Sequence, residues 1–275
     1  MLKEDALGGY IGAFKYMGDE FTYHLNGEGR PVLMTMGLSR TGSYEWRYIY
    51  DCIAGAFQVY AIDVLELDDR RHSPGHGPAY YRGLIESFIK EVIGKRASII
   101  SGPVEAPYVL KASFEHPGLV DKVLIVSPDG VRRITTHDSI GRSALYRILR
   151  IPKIESVKYG SIASKRSMLV FLRKARGWLS AEKPKPLVES RMRQKYPPLA
   201  LLCERRFMES AWGTSMMQAP MSLAKMVRKS RRIVGELDEF RVLRNSRLIV
   251  FQRSGELPMR KDALRFCDDA IKFLE

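Results

Sequence analysis

Short apolar runs alternate with stretches of helical spacing along the first half of this chain, and that alternation restricts the fold more than any other feature. Pro31-Val32-Leu33-Met34-Thr35-Met36 and Phe57-Gln58-Val59-Tyr60-Ala61-Ile62-Asp63 have the length and the β-branched or aromatic content of buried strands. Between them, Trp46, Ile49 and Ile53 recur at helical spacing over 44–56, with Ser43 as N-cap. Leu84, Ile85, Phe88, Ile89 and Val92 line one face of a helix over 81–93 that Gly94 terminates. A third strand at 97–100, a helix over 104–115 that stops before Pro117, and a fourth strand at 120–126 continue the order. Such βαβα alternation predicts a mostly parallel sheet with helices on both faces.

Beyond 130 the pattern changes. Helical segments broken by Pro184, Pro186, Pro197-Pro198 and Pro220 occupy 131–245, and Arg247-Leu248-Ile249-Val250-Phe251-Gln252 resumes the strand pattern before a terminal helix over 261–274. The expected organisation is a core beginning in 1–130, a helical cap inserted over 131–245, and a strand and helix in 246–275 that return to the core. The 275 residues suffice for one full core.

Charge follows the same division. Residues 1–140 carry 15 basic and 18 acidic side chains, whereas 141–275 carry 30 and 13, so a net charge of +17 falls on the second half. Segments such as Met226-Val227-Arg228-Lys229-Ser230-Arg231-Arg232, read as helical, make the cap basic and suit an anionic lipid, a nucleic acid or an acidic protein, although no nucleic-acid module is recognisable. Cys52, Cys203 and Cys267 are odd in number, distant in sequence and not at metal-ligand spacing with histidine, so free thiols are expected, with neither a disulfide framework nor a metal site. No apolar run is long enough to span a membrane or to form a signal segment, which places the chain in the cytoplasm as an expectation.

Several blocks then resemble the α/β-hydrolase superfamily, in particular its esterase and haloperoxidase-like branch with a helical cap. Asn26-Gly27-Glu28-Gly29-Arg30-Pro31, the following strand and Met36-Gly37-Leu38 resemble the entry strand and oxyanion loop. Ile99-Ile100-Ser101-Gly102-Pro103-Val104-Glu105-Ala106 falls where the nucleophile elbow belongs. Glu115-His116-Pro117-Gly118-Leu119-Val120-Asp121-Lys122-Val123-Leu124-Ile125-Val126-Ser127-Pro128 follows at the expected distance. The resemblance covers nearly the whole chain and implies the α/β-hydrolase sheet, here with a shortened C-terminus, because one strand and its loop are not recognised after 252.

The same resemblance implies a serine nucleophile, a histidine base after the last strand and an acid, and this chain departs from that pattern. The elbow pattern G-x-S-x-G is answered by Ser101, Gly102, Pro103, Val104 and Glu105, so the nucleophile position is Pro103. Proline has no hydroxyl, and its fixed negative φ conflicts with the strained turn. Ser101 is the nearest substitute, but it stands two residues before the apex. The five histidines, His24, His72, His76, His116 and His137, all precede residue 138. His116 reads as structural, and His72 and His76 lie on a Gly/Pro-rich loop. Glu256 lies near the position of the family's acid, with Asp129 as the other known location.

The expectation is therefore a hydrolase-fold protein without catalysis, a pseudoenzyme that acts as a small-molecule-binding or interaction module without cofactor. Its pocket would have Met36, Gly37, Leu38, Pro103 and Val104 on the floor, with backbone N–H groups of the oxyanion loop facing a small acyl or carboxylate-bearing ligand. Two alternatives stand beside it: an active hydrolase of esters or related small molecules, rearranged around Ser101 with His72 or His76, and binding of anionic lipid or nucleic acid through the basic cap.

Overall fold

A computed structural model describes residues 7–36, 43–63, 78–102, 105–127, 222–228, 246–251 and 257–275. They contain eight strands: β1 Tyr10–Tyr16, β2 Asp19–Asn26, β3 Pro31–Thr35, β4 Gln58–Asp63, β5 Ala97–Ser101, β6 Val120–Val126, β7 Ser222–Arg228 and β8 Ser246–Phe251. These form one sheet in the order β1-β2-β4-β3-β5-β6-β7-β8. The β1–β2 hairpin is antiparallel, and β2 joins β4 antiparallel. Every pairing from β4 through β3, β5, β6 and β7 to β8 is parallel.

The central strands follow from their composition. A strand covered by helices on both faces is apolar throughout, and all five residues of β3 and of β5 are buried. One face packs Leu33, Tyr60, Ile99, Val123 and Ile125 against helix α2, Pro78–Phe88, and helix α3, Ala106–Glu115. The other packs Val32, Met34, Val59, Ile100 and Leu124 against α1, Tyr50–Ala54, and the C-terminal helix α4, Ala263–Leu274. Alternation along each strand thus fills two cores, one on either side of the sheet.

On the first face, an ion-pair network joins α2 to α3. Arg82 contacts Glu115 at 2.6 Å and Glu86 at 3.5 Å, Lys111 reaches Glu115 at 3.0 Å, and His116 Nε2 approaches Glu86 at 3.3 Å. His116 therefore has the structural position expected of it, at the end of α3 and away from the carboxyl ends of the strands.

The structure corrects the sequence reading at four places. The hairpin β1–β2 was not anticipated; it turns through Met17 and Gly18, both at positive φ (49° and 88°), the signature of a tight two-residue connection. The stretch 44–56 is not one helix but a 3₁₀ turn at Ser43–Trp46, followed by α1. Ser222–Arg228, inside the segment expected to be a helical cap, is a sheet strand, so its basic residues Lys225 and Arg228 sit on a ladder and not on a helix. With β7 in place, 246–251 is the eighth strand, and the expected C-terminal shortening is withdrawn. The rest of 131–245 lies outside the described residues.

Candidate functional site

In an open parallel sheet, ligands bind beyond the carboxyl ends of the strands, where neighbouring connections leave in opposite directions. Here that point lies between β3, which connects onward to β4 on one side, and β5, its neighbour on the other. The residues just past β3 and β5 are those that the sequence singles out: Met36 to Leu38, and 102–105.

Met36 and Thr35 at the end of β3 are fully buried. The Gly102 N–H donates to the Thr35 carbonyl at 2.7 Å, pinning the exit of β5 to the exit of β3. A side chain at 102 has no room, since a Cβ there would stand 2.5 Å from Met36 Sδ and 3.0 Å from Glu105 Oε2. Glu105 precedes the first residue of α3 and is itself buried, so the connection from strand to helix is lined by an acidic side chain folded back toward Gly102. An acidic group there is favoured by the helix dipole.

Ser101 is the last residue of β5 and is fully buried, with its Oγ donating to the Gly102 carbonyl at 3.1 Å. Its hydroxyl serves local hydrogen bonding, as a strand-end serine commonly does. Gly37, Leu38, Pro103, Val104, Asp129, Glu256, His72, His76 and His137 lie outside the described residues, as does Cys203. Chain order still locates two of them. Pro103 stands in the β5–α3 connection, and Glu256 follows β8, the last strand.

Two features at this end of the sheet escaped the sequence reading. Ser127, directly after β6, has φ 44°, a left-handed conformation that is uncommon for serine and collects at functional connections. The second is a buried pair beside β3. Asp63 Oδ1 at the end of β4 accepts the Ser43 N–H at 2.8 Å and so caps the 3₁₀ turn, while Asp63 Oδ2 lies 3.8 Å from His24 Nε2 on β2. Both side chains are only about a tenth exposed (12% and 11%). Register brings them together, with His24 opposite Ala61 and Thr22 opposite Asp63. Replacing Asp63 with alanine removes the cap and leaves a buried imidazole beside an empty site; the expected loss is about 1–3 kcal/mol, read as a lower urea midpoint. Among the described residues, no group of three side chains is arranged to hold a metal ion, and no helix is long and apolar enough to cross a membrane.

The fold is shared with solved hydrolases. The meta-cleavage product hydrolase CumD of Pseudomonas fluorescens IP01 is similar at a TM-score of 0.68 and 15% identity, over 98% of each chain. A serine hydrolase from Cycloclasticus zankles gives 0.71 and 13%, over 97% of this chain and 98% of that one. The carboxylesterase CesB of Bacillus subtilis gives 0.65 and 11%, over 98% and 93%. The chain has the α/β-hydrolase fold. No family model matches its sequence, and no curated protein matches it either.

Proposed function

We propose that this chain is a hydrolase-fold protein that has lost the chemistry and kept the cleft, binding a small acyl or carboxylate-bearing ligand beyond the ends of β3 and β5. One observation carries this reading. The connection from β5 to α3, where the fold holds its nucleophile, reads Gly102-Pro103-Val104-Glu105 and contains neither hydroxyl nor thiol. The nearest hydroxyl, Ser101, is sealed and committed to a carbonyl. The connection after β8 reads Gln252-Arg253-Ser254-Gly255-Glu256 and offers no imidazole to take a proton. Binding survives such losses, because backbone N–H groups of the oxyanion loop need no particular side chain.

A fluorophosphonate probe is expected to leave the purified chain unmodified, and nitrophenyl esters to be hydrolysed no faster than in buffer with albumin. In the same preparation, short-chain carboxylates should raise the thermal midpoint, by mass action on the folded state. A covalent adduct on any serine would falsify the non-catalytic reading.

The charge of the second half favours a further role for the segment between β6 and β7, which we take as the cap: attraction of an anionic partner. Retention on heparin or anionic vesicles should then fall steeply with added salt. Retention that is indifferent to salt would remove this reading.

A further inference from the structure

We propose that a cavity at the amino ends of the strands, walled by Arg30 and Arg96, is a second binding site, which takes a small monocarboxylate with an apolar body about the size of a benzoate ring.

The cavity has a volume of about 230 Å³ and lies at the end of the sheet opposite the candidate site. Chain position fixes that placement. Arg30 and Arg96 immediately precede β3 and β5, Phe57 precedes β4, and Ser98 and Asp121 are the second residues of β5 and β6. Leu274, the last residue of α4, lines it from the helix side. No residue of this site belongs to the turn around Gly102, so the inference stands whether or not the cleft beyond β3 and β5 binds a ligand.

Its walls are of two kinds. Val32, Phe57 and Leu274 are buried members of the core between the sheet and α4, so the inner wall is apolar. Ser98, the one hydroxyl of the lining, is buried beside them, paired in register with Val32. Arg30 and Arg96 are exposed and form the rim. A void of about 150 Å³ suffices for benzene, so one ring with a carboxylate fits, hydrocarbon inward and charge at the rim. Both guanidinium groups are already held in place by main-chain carbonyls. Arg30 Nη1 donates to the Glu275 carbonyl at 2.9 Å and its guanidinium lies 5.7 Å from the centre of the Phe57 ring. Arg96 Nε donates to the Val120 carbonyl at 3.0 Å, and its Nη2 lies 3.4 Å from Asp121. A guanidinium carries five N–H donors, so these contacts leave donors on each for a ligand, in the planar fork that suits a carboxylate. The lining holds two guanidinium groups against the single carboxylate of Asp121. A monoanion balances that excess, whereas a dianion would put surplus negative charge beside Asp121.

The test is a titration of the full chain with sodium benzoate, followed by two-dimensional amide spectra at mildly alkaline pH, with sodium chloride as the ionic control. The amides of Val32, Ser98, Asp121 and Leu274 should shift saturably. Benzamide, the neutral isostere, and inorganic phosphate, mostly dianionic, should leave them in place. Arg30→Gln and Arg96→Gln should each weaken benzoate by roughly tenfold, the cost of one hydrogen bond to a charged group. Shifts confined to the amides of Met36 and Gly102 would assign benzoate to the cleft and overturn this site while leaving the cleft reading intact; shifts at both ends support both. Equal shifts with benzamide or with phosphate, or an unmoved spectrum up to about 10 mM benzoate, would overturn the proposal. The unaltered chain decides the matter even where an arginine variant fails to fold.

Discussion

Replacing Phe88 with alanine is expected to destabilise the protein by about 3–5 kcal/mol, the cost of deleting a fully buried aromatic ring. Phe88 closes α2 and has no exposed surface. Three rings meet it edge on: Phe14 of β1 at 5.5 Å, Tyr23 of β2 at 5.2 Å and Tyr60 of β4 at 6.2 Å. Contacts of this geometry add roughly 0.5–1.5 kcal/mol per pair beyond the area buried. The ring also helps to join the edge hairpin to the parallel sheet from the helix side, together with Tyr80, which packs on Tyr16 and donates its hydroxyl to Asp19. Its loss should therefore lower the urea midpoint and, in addition, speed amide exchange in β1 and β2 ahead of the central strands. Phe88→Leu keeps most of the volume and should recover more than half of the loss. Equal exchange in β1 and β3 in the alanine variant would show that Phe88 does not carry the hairpin.

Gly27→Ala should cost about 2–5 kcal/mol for a different reason, a left-handed backbone combined with steric overlap. Gly27 has φ 77° in the connection from β2 to β3, and a Cβ there would stand 2.2 Å from both the Ala54 and Phe57 carbonyl oxygens. Neither obstacle is a side chain that can swing aside; both are backbone at the end of α1 and the approach to β4. Gly94 serves as the control. Its φ of 69° carries the conformational penalty, but nothing lies within 4 Å of its Cβ position. Gly94→Ala should thus lose only about 1–2 kcal/mol, and the difference between the two variants, by urea denaturation, isolates the steric part. Equal losses would refute the close approach at Gly27.

The parts of the fold that were legible in the sequence are those in which one physical signal dominates. Strands β3, β5 and β6 are nearly continuous apolar runs because helices cover both of their faces. The hairpin is harder to see, since the face of β1 that carries Ile11, Ala13 and Lys15 meets solvent and Tyr10 at its start is exposed as well (Ile11 43%, Tyr10 64%), while Phe14 and, on β2, Phe21 are buried. Apolar residues on the wet side blur the alternation on which strand recognition relies. In β7, Lys225 interrupts the apolar pattern, and the basic run that follows has the composition of a solvated helix. The helix expected over 44–56 has correct apolar spacing, but Asp63 fixes its start as a 3₁₀ turn. That bond comes from a strand the local sequence does not contain.

The candidate site divides in the same way. The identity of Pro103 is a chemical fact requiring no coordinates, and the missing imidazole is a matter of counting. By contrast, the His24–Asp63 pair depends on β2 lying against β4, and the seam between α1 and α4 depends on the last helix packing beside the first. Nothing in residue spacing announces either. The place of Glu256 along the chain depends on counting strands, and β7, whose basic run reads as a helix, raises that count by one.

The acidic residue folded under Gly102 also limits what this turn can accept. With Oε2 of Glu105 lying 3.0 Å from the Cβ position of its neighbour, the space that a small residue leaves open in this turn is already occupied. Any side chain introduced at 102 must therefore displace this carboxylate and Met36 Sδ together, and it would strain the hydrogen bond to Thr35 by which one strand exit holds the other in place.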